Sequence, residues 1–138
     1  MEFSFTVRID ASKEKIWSFY LDTNKWFEWE NNLENMALNG KFSTGSTGIM
    51  KLKEMPEIKF ILTKVEPNKE FWNQSNTPFG TLCFGHEIFE NKNFVYIKHT
   101  VRLESKDINV QKMELLKQIF ADVPKSMFAL RQKAQSIK

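Results

Sequence analysis

The fold is decided by residues 94–137, FVYIKHTVRLESKDINVQKMELLKQIFADVPKSMFALRQKAQSI, where the spacing of apolar side chains changes once. In Phe94–Glu104, alternate positions form one face, which consists of Val95, Ile97, His99, Val101 and Leu103. A period of two indicates a half-buried strand. From Met113 onward the interval alternates between three and four residues, which indicates one face of a long helix. This stripe contains Met113, Leu116, Phe120, Val123, Met127, Leu130, Ala134 and Ile137.

Pro124 interrupts the apolar stripe of the last helix. A proline in a helix interior costs about 3 kcal/mol unless the helix bends or restarts there. Because the stripe keeps its phase across Pro124, we favour a kinked helix over two nearly collinear ones. Asp122 is the candidate N-cap if the helix restarts.

The beginning of the chain shows the same two spacings, first that of a strand and then that of short helices. In MEFSFTVRID, residues 1–10, apolar and polar side chains alternate, which predicts a strand over 3–9 and, without a basic region and an apolar run, no signal peptide. Ser12 is placed to cap a short helix over 13–21. The segment NKWFEWE, residues 24–30, predicts a second short helix.

The middle of the chain is predicted to be strands and turns from Leu33 onward. Turn residues separate five apolar stretches, which are Thr47–Lys53, Ile58–Glu66, Glu70–Asn76, Leu82–Glu90 and Phe94–Glu104. The connections are too short for crossover helices, so the sheet is antiparallel. We therefore predict a single α+β domain over residues 1–138, in which a curved sheet of about seven strands wraps around the C-terminal helix.

Composition excludes several functional classes. The chain has 138 residues, one cysteine and a net charge of +3, so it holds one core, no internal disulfide and no strong case for binding nucleic acid. No apolar run reaches the ~20 residues that a membrane span needs. We expect a cytoplasmic protein that is not integral to a membrane, and a homodimer is compatible with its sequence. Thirteen phenylalanines and four tryptophans are suited either to lining a cavity or to filling one.

Several segments together resemble the START/polyketide-cyclase superfamily, whose helix-grip fold is shared with the birch-pollen allergen. IDASKEKIWSFYLDTNKWFEWEN (residues 9–31) is similar to its opening, and LNGKFSTGSTGIMKL (38–52) to its second hairpin. YIKHTVRLES (96–105) followed by LLKQIFADVPKSMFALRQKAQ (115–135) resembles the last strand and helix of the bacterial cyclase/dehydrase-like branch. The resemblance implies the helix-grip fold and spans enzymes, lipid carriers, hormone receptors and chaperone activators. Ser105 and Lys106 replace the usual glycine after the last strand, and no catalytic set of the aromatic cyclases maps onto this chain.

The two histidines are the most informative polar residues. His86 and His99 each have the inward parity of their strand, so a hairpin turn at 91–93 places them either diagonally, ~7–8 Å apart, or opposite each other, ~5 Å apart. They are interpreted as a polar anchor for a ligand, as a general acid or base, or as hydrogen-bonded core histidines, and the last interpretation carries the most weight. Cys83 and Glu87 have the opposite parity, so we expect no metal site and no cofactor.

Bulky side chains complete the candidate site. Trp29 and Trp26 share one face of the second short helix and are expected to plug the open end of the fold or to form the doorway for a ligand. Strand parity is ambiguous around residues 58–76, where a bulge is expected, and the polar segment 73–76 is expected to be an exposed rim. The candidate ligand-binding residues are His86, His99, Phe84, Ile97, Trp29, Phe60, Trp72, Met113, Phe120 and Met127.

Three functions are open at this point. The first is binding of a small hydrophobic ligand, such as a lipid, an aromatic compound or a polyketide-like molecule, between the sheet and the C-terminal helix. The second is an enzyme of the cyclase/dehydratase kind that uses a cavity histidine as general acid or base. The third is a protein-interaction module whose cavity is filled by its own side chains. The catalytic residues are unknown, and we expect a binding protein rather than a catalyst.

Overall fold

The computed structural model describes residues 1–136, so the predicted place of Ile137 in the helical stripe lies outside the described residues. The strands are β1 Glu2–Ile9, β2 Leu33–Asn39, β3 Thr47–Leu52, β4 Ile58–Glu66, β5 Glu70–Thr77, β6 Gly80–Asn91 and β7 Phe94–Glu104. The helices are α1 Lys13–Leu21, α2 Trp26–Trp29, α3 Val110–Phe120 and α4 Val123–Gln135, with a single 3₁₀ turn at Thr23–Lys25.

The seven strands form one curved antiparallel sheet in the order β1-β7-β6-β5-β4-β3-β2. Consecutive strands pair from β2 through β7, and β1 pairs with β7, so that β1 and β2 form the two edges of the sheet. The short turns predicted between apolar stretches produce this meander, because a short turn can join only antiparallel strands. The predicted fold class, a curved sheet around a C-terminal helix with short helices after the first strand, is confirmed.

The first helix begins where the sequence predicts. Ser12 has extended backbone angles, and its Oγ accepts a hydrogen bond from the Lys15 amide at 3.1 Å. This bond satisfies one of the amides that a helix start leaves without a partner. Ile16 and Tyr20, one turn apart on α1, are completely buried, so the helix is held against the sheet by its apolar face.

The C-terminal helix is bent at Ala121–Asp122, where α3 ends and α4 begins. Both residues keep right-handed helical backbone angles, so the apolar stripe continues across the bend. Pro124 lies in the first turn of α4, where a missing amide hydrogen removes no helical hydrogen bond. Asp122 occupies the predicted N-cap position of α4, but its side chain makes no cap hydrogen bond.

The core lies between the concave face of the sheet and the helices. Leu116, Met127, Leu130 and Ala134 of the helical stripe are buried, whereas Met113 and Phe120 are only half-buried. Over residues 1–136, no helix combines the length and the apolar character needed to span a membrane.

Candidate functional site

Two adjoining cavities lie between the sheet and the C-terminal helix. The outer cavity has a volume of about 410 Å³ and opens between the β3–β4 loop, the β5–β6 turn and α3. Its walls are mostly apolar and include Met55, Ile58, Phe79, Leu82, Leu103 and Leu115. The inner cavity has a volume of about 60 Å³. Its walls include Trp26, Trp29, Glu30, Asn73, Phe84, His86, His99, Asp122 and Ser126.

Ile119 lies between the two cavities, because its side chain belongs to the walls of both. On the opposite side, Leu82 lines the outer cavity and Phe84, the next inward residue of β6, lines the inner one. The two spaces therefore follow one another along β6. The outer one is almost entirely apolar, and the inner one combines apolar side chains with several polar and titratable groups.

The histidines lie directly opposite each other at the inner end. His86 pairs with His99 in the β6–β7 hairpin, which is the second of the two predicted registers, and the ring centroids are 4.6 Å apart. The Tyr20 hydroxyl forms a 2.7 Å hydrogen bond with His99 Nε2. Phe71 stacks on His86 with ring centroids 4.0 Å apart. Neighbouring rings therefore hold both imidazoles in fixed orientations.

Burial keeps both imidazoles neutral. It lowers the pKa of His86 from 6.5 to about 3, although hydrogen bonding to the Phe71 backbone partly opposes this effect. Burial also lowers the pKa of His99 well below its usual value, and the neighbouring His86 lowers it further. Neither histidine forms an imidazolium cation at neutral pH, so both are poor general acids there.

Glu30 is the one acidic group of the cavity with a strongly shifted pKa. The residue as a whole is half-buried, but its carboxyl end is enclosed, and burial raises its pKa from 4.5 to about 7. A hydrogen bond from Ser126 Oγ to Glu30 Oε1, 2.8 Å long, lowers the pKa, and the charge of Asp122 raises it. This bond also joins α4 to the end of α2. Glu30 therefore exchanges its proton close to neutral pH.

Three buried polar atoms of the inward face have no hydrogen-bond partner among residues 1–136. They are Asn73 Oδ1, Ser75 Oγ and His86 Nδ1. The prediction that 73–76 form an exposed rim is wrong for Asn73 and Ser75, which are 3% and 2% exposed. Both residues share the inward parity of Phe71 on β5. A buried polar atom without a partner costs about 1–3 kcal/mol, so these atoms are candidate ligand contacts.

The structure brings only part of the predicted site together. Among the predicted residues, His86, His99, Phe84 and Trp29 line the inner cavity, and Trp26 lines it as well. The indole nitrogens of Trp26 and Trp29 donate hydrogen bonds to the Tyr20 and Phe19 carbonyl oxygens, which fixes both rings at this end of the fold.

The other predicted residues lie outside the two cavities. Ile97 and Met127 are completely buried in the core, and Phe60 packs against Gly48 of the neighbouring strand. Neither Met113 nor Phe120 is part of a cavity wall; Phe120 packs instead against Phe3.

Trp72 is a correction to the predicted site, because it lies on the outer face of the sheet. Its indole nitrogen donates to Glu70 Oε1 at 2.8 Å, and its ring covers Gly85 and lies 5.1 Å from the Arg102 guanidinium carbon. The expected bulge is present as a register shift between Leu62 and Lys64.

The sequence interpretation missed Glu30, Tyr20 and the whole outer cavity. No clear signal in the sequence marks the buried amide of Asn73, because Phe71 and Trp72 are both aromatic and leave the parity of β5 undecided. Among residues 1–136, no group of three or more His, Cys, Asp or Glu side chains is placed to hold a metal ion.

Comparisons with known proteins identify the fold. Neither a protein-family profile nor a curated relative matches the chain. Among solved structures, a hypothetical protein from Helicobacter pylori is 12% identical with a TM-score of 0.80, covering 98% of this chain and 88% of that one. Norcoclaurine synthase from Thalictrum flavum is 14% identical with a TM-score of 0.73, covering 100% and 95%. The Aha1 dimer from Colwellia psychrerythraea is 16% identical with a TM-score of 0.69, covering 98% and 96%. These likenesses show that the chain has the helix-grip fold.

Proposed function

We propose that this helix-grip domain binds a small, mostly apolar molecule in the space between the sheet and the bent C-terminal helix. The observation that carries the proposal is the succession of two cavities along β6, of which the outer one is almost entirely apolar and the inner one also contains polar and titratable side chains. Such a succession suits a ligand that has an apolar body and one polar head group.

The volumes support this division of the ligand. The outer cavity, at about 410 Å³, falls within the range of roughly 300–1,000 Å³ that small-molecule sites occupy. The inner cavity, at about 60 Å³, has room for a head group only. Burial of the apolar body in the outer cavity would stabilise the complex by about 25 cal/mol for each Å² removed from water.

The polar inner end would orient the ligand. Asn73 Oδ1 and His86 Nδ1 are buried without partners and belong to side chains that line the inner cavity. A head group that bonds to them would remove a cost of about 1–3 kcal/mol for each atom that gains a partner. One norcoclaurine synthase structure of this fold contains two small organic molecules, which supports enclosure of such ligands by this architecture.

The test is to block the outer cavity and compare binding with a matched variant. Leu115 of α3 lines the outer cavity, whereas Val110 of the same helix is 70% exposed and does not. We expect Leu115→Trp to abolish binding of 1-octanol, measured by native mass spectrometry and by tryptophan emission, and Val110→Trp to bind it as the parent protein does. Unchanged binding in Leu115→Trp contradicts the proposal, and so does a parent protein that binds neither 1-octanol nor an octyl ligand with a charged head group.

A second candidate function is proton transfer, and the pKa of Glu30 favours it. A general acid or base works best with a pKa near the working pH, and the pKa of Glu30, at about 7, meets this condition better than either histidine does. The assay is exchange of the α-hydrogens of 2-octanone for deuterium in D₂O. We expect exchange above the buffer rate in the parent protein and in Glu28→Gln, and its loss in Glu30→Gln. Exchange at the buffer rate in all three would exclude this function for ketones.

The third candidate, a protein-interaction module with a filled interior, has less support. It requires side chains to occupy the space between the sheet and helix, and an outer cavity of about 410 Å³ lies there instead.

A further inference from the structure

Among residues 1–136, the ionisable side chains that line the inner cavity can carry negative charge but no positive charge at neutral pH. Its walls contain the carboxyl groups of Glu30 and Asp122, and the described residues that line it include no lysine or arginine. The two histidines are neutral because they are buried. An anionic head group would therefore meet negative charge and no cationic partner, which is costly in an enclosed space.

Acceptor oxygens are prominent among the polar atoms of this cavity, although Ser75 Oγ and His86 Nδ1, which also lack partners, can donate as well as accept. Asn73 Oδ1 is an acceptor without a donor, and the carboxylates of Glu30 and Asp122 are acceptors when ionised. A suitable head group is one that brings several hydrogen-bond donors. The indole rings of Trp26 and Trp29 line the same space, and tryptophan faces attract cations.

We propose that the head group recognised in the inner cavity is a primary ammonium, so that the ligand is an apolar amine rather than an acid or a neutral alcohol. An ammonium provides three donors and a positive charge and has no acceptor, which matches the acceptors, carboxylates and aromatic faces of this cavity. This inference rests on the proposed binding function and names its ligand class.

The charge of Glu30 adjusts to such a ligand. Without a ligand, burial keeps its pKa at about 7, whereas a neighbouring cation favours the ionised form. The other titratable groups around Glu30 are His86, His99 and Asp122, which line the same cavity, and Tyr20 of α1, whose pKa is raised by burial and also by the charge of Glu30. Binding of an ammonium therefore releases part of a proton from Glu30 near pH 7, and an alcohol has no such effect.

The experiment compares three probes that share one tail: 1-octylamine, 1-octanol and octanoate, titrated into the full chain by isothermal calorimetry near pH 7.5. We expect the amine to bind at least tenfold more tightly than the alcohol, and octanoate more weakly than either. Equal affinities, or tightest binding of octanoate, overturn the ammonium assignment while the proposed function stands. If none of the three binds, the proposed function itself fails, and this inference fails with it.

Two charge-removing variants and one control locate the recognition. Glu30→Gln keeps an oxygen that can accept from Ser126, and Asp122→Asn is equally conservative. Each is expected to lower the amine-to-alcohol affinity ratio at least threefold. Glu28→Gln makes the same charge change on the exposed side of α2 and is expected to leave the ratio as it is. A ratio that falls equally in all three variants means that overall charge, not the cavity, attracts the amine, and overturns the inference.

Discussion

Replacement of Glu30 by glutamine should make the protein more stable at alkaline pH and leave its stability unchanged in acid. Burial raises the pKa of Glu30 from 4.5 to about 7 in the folded state, so the folded protein holds this proton over a pH range in which the unfolded chain has released it. Stability falls with pH wherever the folded state binds more protons. The loss begins near pH 4.5 and is complete just above pH 7. Each pKa unit is worth about 1.4 kcal/mol, so the full loss is about 3 kcal/mol.

The assay is urea unfolding of the parent protein and Glu30→Gln, followed by tryptophan emission between pH 4 and 8. Other titrating groups contribute to both curves, so the difference between the two free energies of unfolding isolates Glu30. We expect this difference to be near zero at pH 4 and to rise to about 3 kcal/mol in favour of Glu30→Gln at pH 8. Glu28→Gln, an exposed change of the same charge, should follow the parent protein.

If the difference in the free energy of unfolding between the two proteins does not change from pH 4 to pH 8, the reasoning is refuted, because the carboxyl group of Glu30 then ionises in the folded protein as it does in water. A difference that falls with pH would show that the Ser126 hydrogen bond and not burial controls the group. Either result would also remove the argument for Glu30 as a proton-transfer group.

Three further predictions concern the walls of the cavities and the sheet. Replacement of Asn73 by leucine removes a buried acceptor without a partner, so urea unfolding should show a free energy of unfolding about 1 kcal/mol higher. Calorimetry should show weaker binding of 1-octylamine to the same variant. His86→Leu should move the midpoint of acid unfolding to lower pH. In the parent protein the pKa of His86 is about 3 in the folded state and 6.5 in the unfolded chain, so the parent protein loses stability as the pH falls between these two values, and the variant does not. Gly85→Ala places a methyl group against the ring of Trp72, so the ring must move; a loss of about 1–3 kcal/mol by urea unfolding is expected, and an unchanged stability would contradict the tight packing.

The sequence predicts the β6–β7 hairpin well for a simple reason. Apolar residues occupy one parity of each strand, and the turn between the strands is short, so the inward face follows from alternation and only two registers remain. The structure has the one in which His86 pairs with His99. The long helix is predicted equally well, because its stripe continues through the bend near Pro124. Local patterns of this kind need no knowledge of distant parts of the chain.

The rest of the site depends on contacts between distant segments, which alternation does not encode. Phe71 and Trp72 are both aromatic, so composition gives no parity for β5, and the β4–β5 register shift obscures it further. The pKa of Glu30 depends on α4, which contributes Ser126 from 96 residues away. The volume of the outer cavity depends on the distance of the β3–β4 loop and the β5–β6 turn from α3. Each of these is a property of tertiary packing.

Burial acts on the acid and the bases of the inner cavity in the same direction. It lowers the pKa values of His86 and His99 and raises that of Glu30, so that in each case the neutral form is favoured. Without a ligand, these three groups are therefore mostly neutral below about pH 7. A cationic head group reverses the preference at Glu30 alone, because an imidazole gains nothing from a second positive charge nearby. The Glu30 carboxyl group, which destabilises the ligand-free protein at alkaline pH, is thus the same group that would bind an amine there. Stability and recognition are therefore linked through the proton of Glu30.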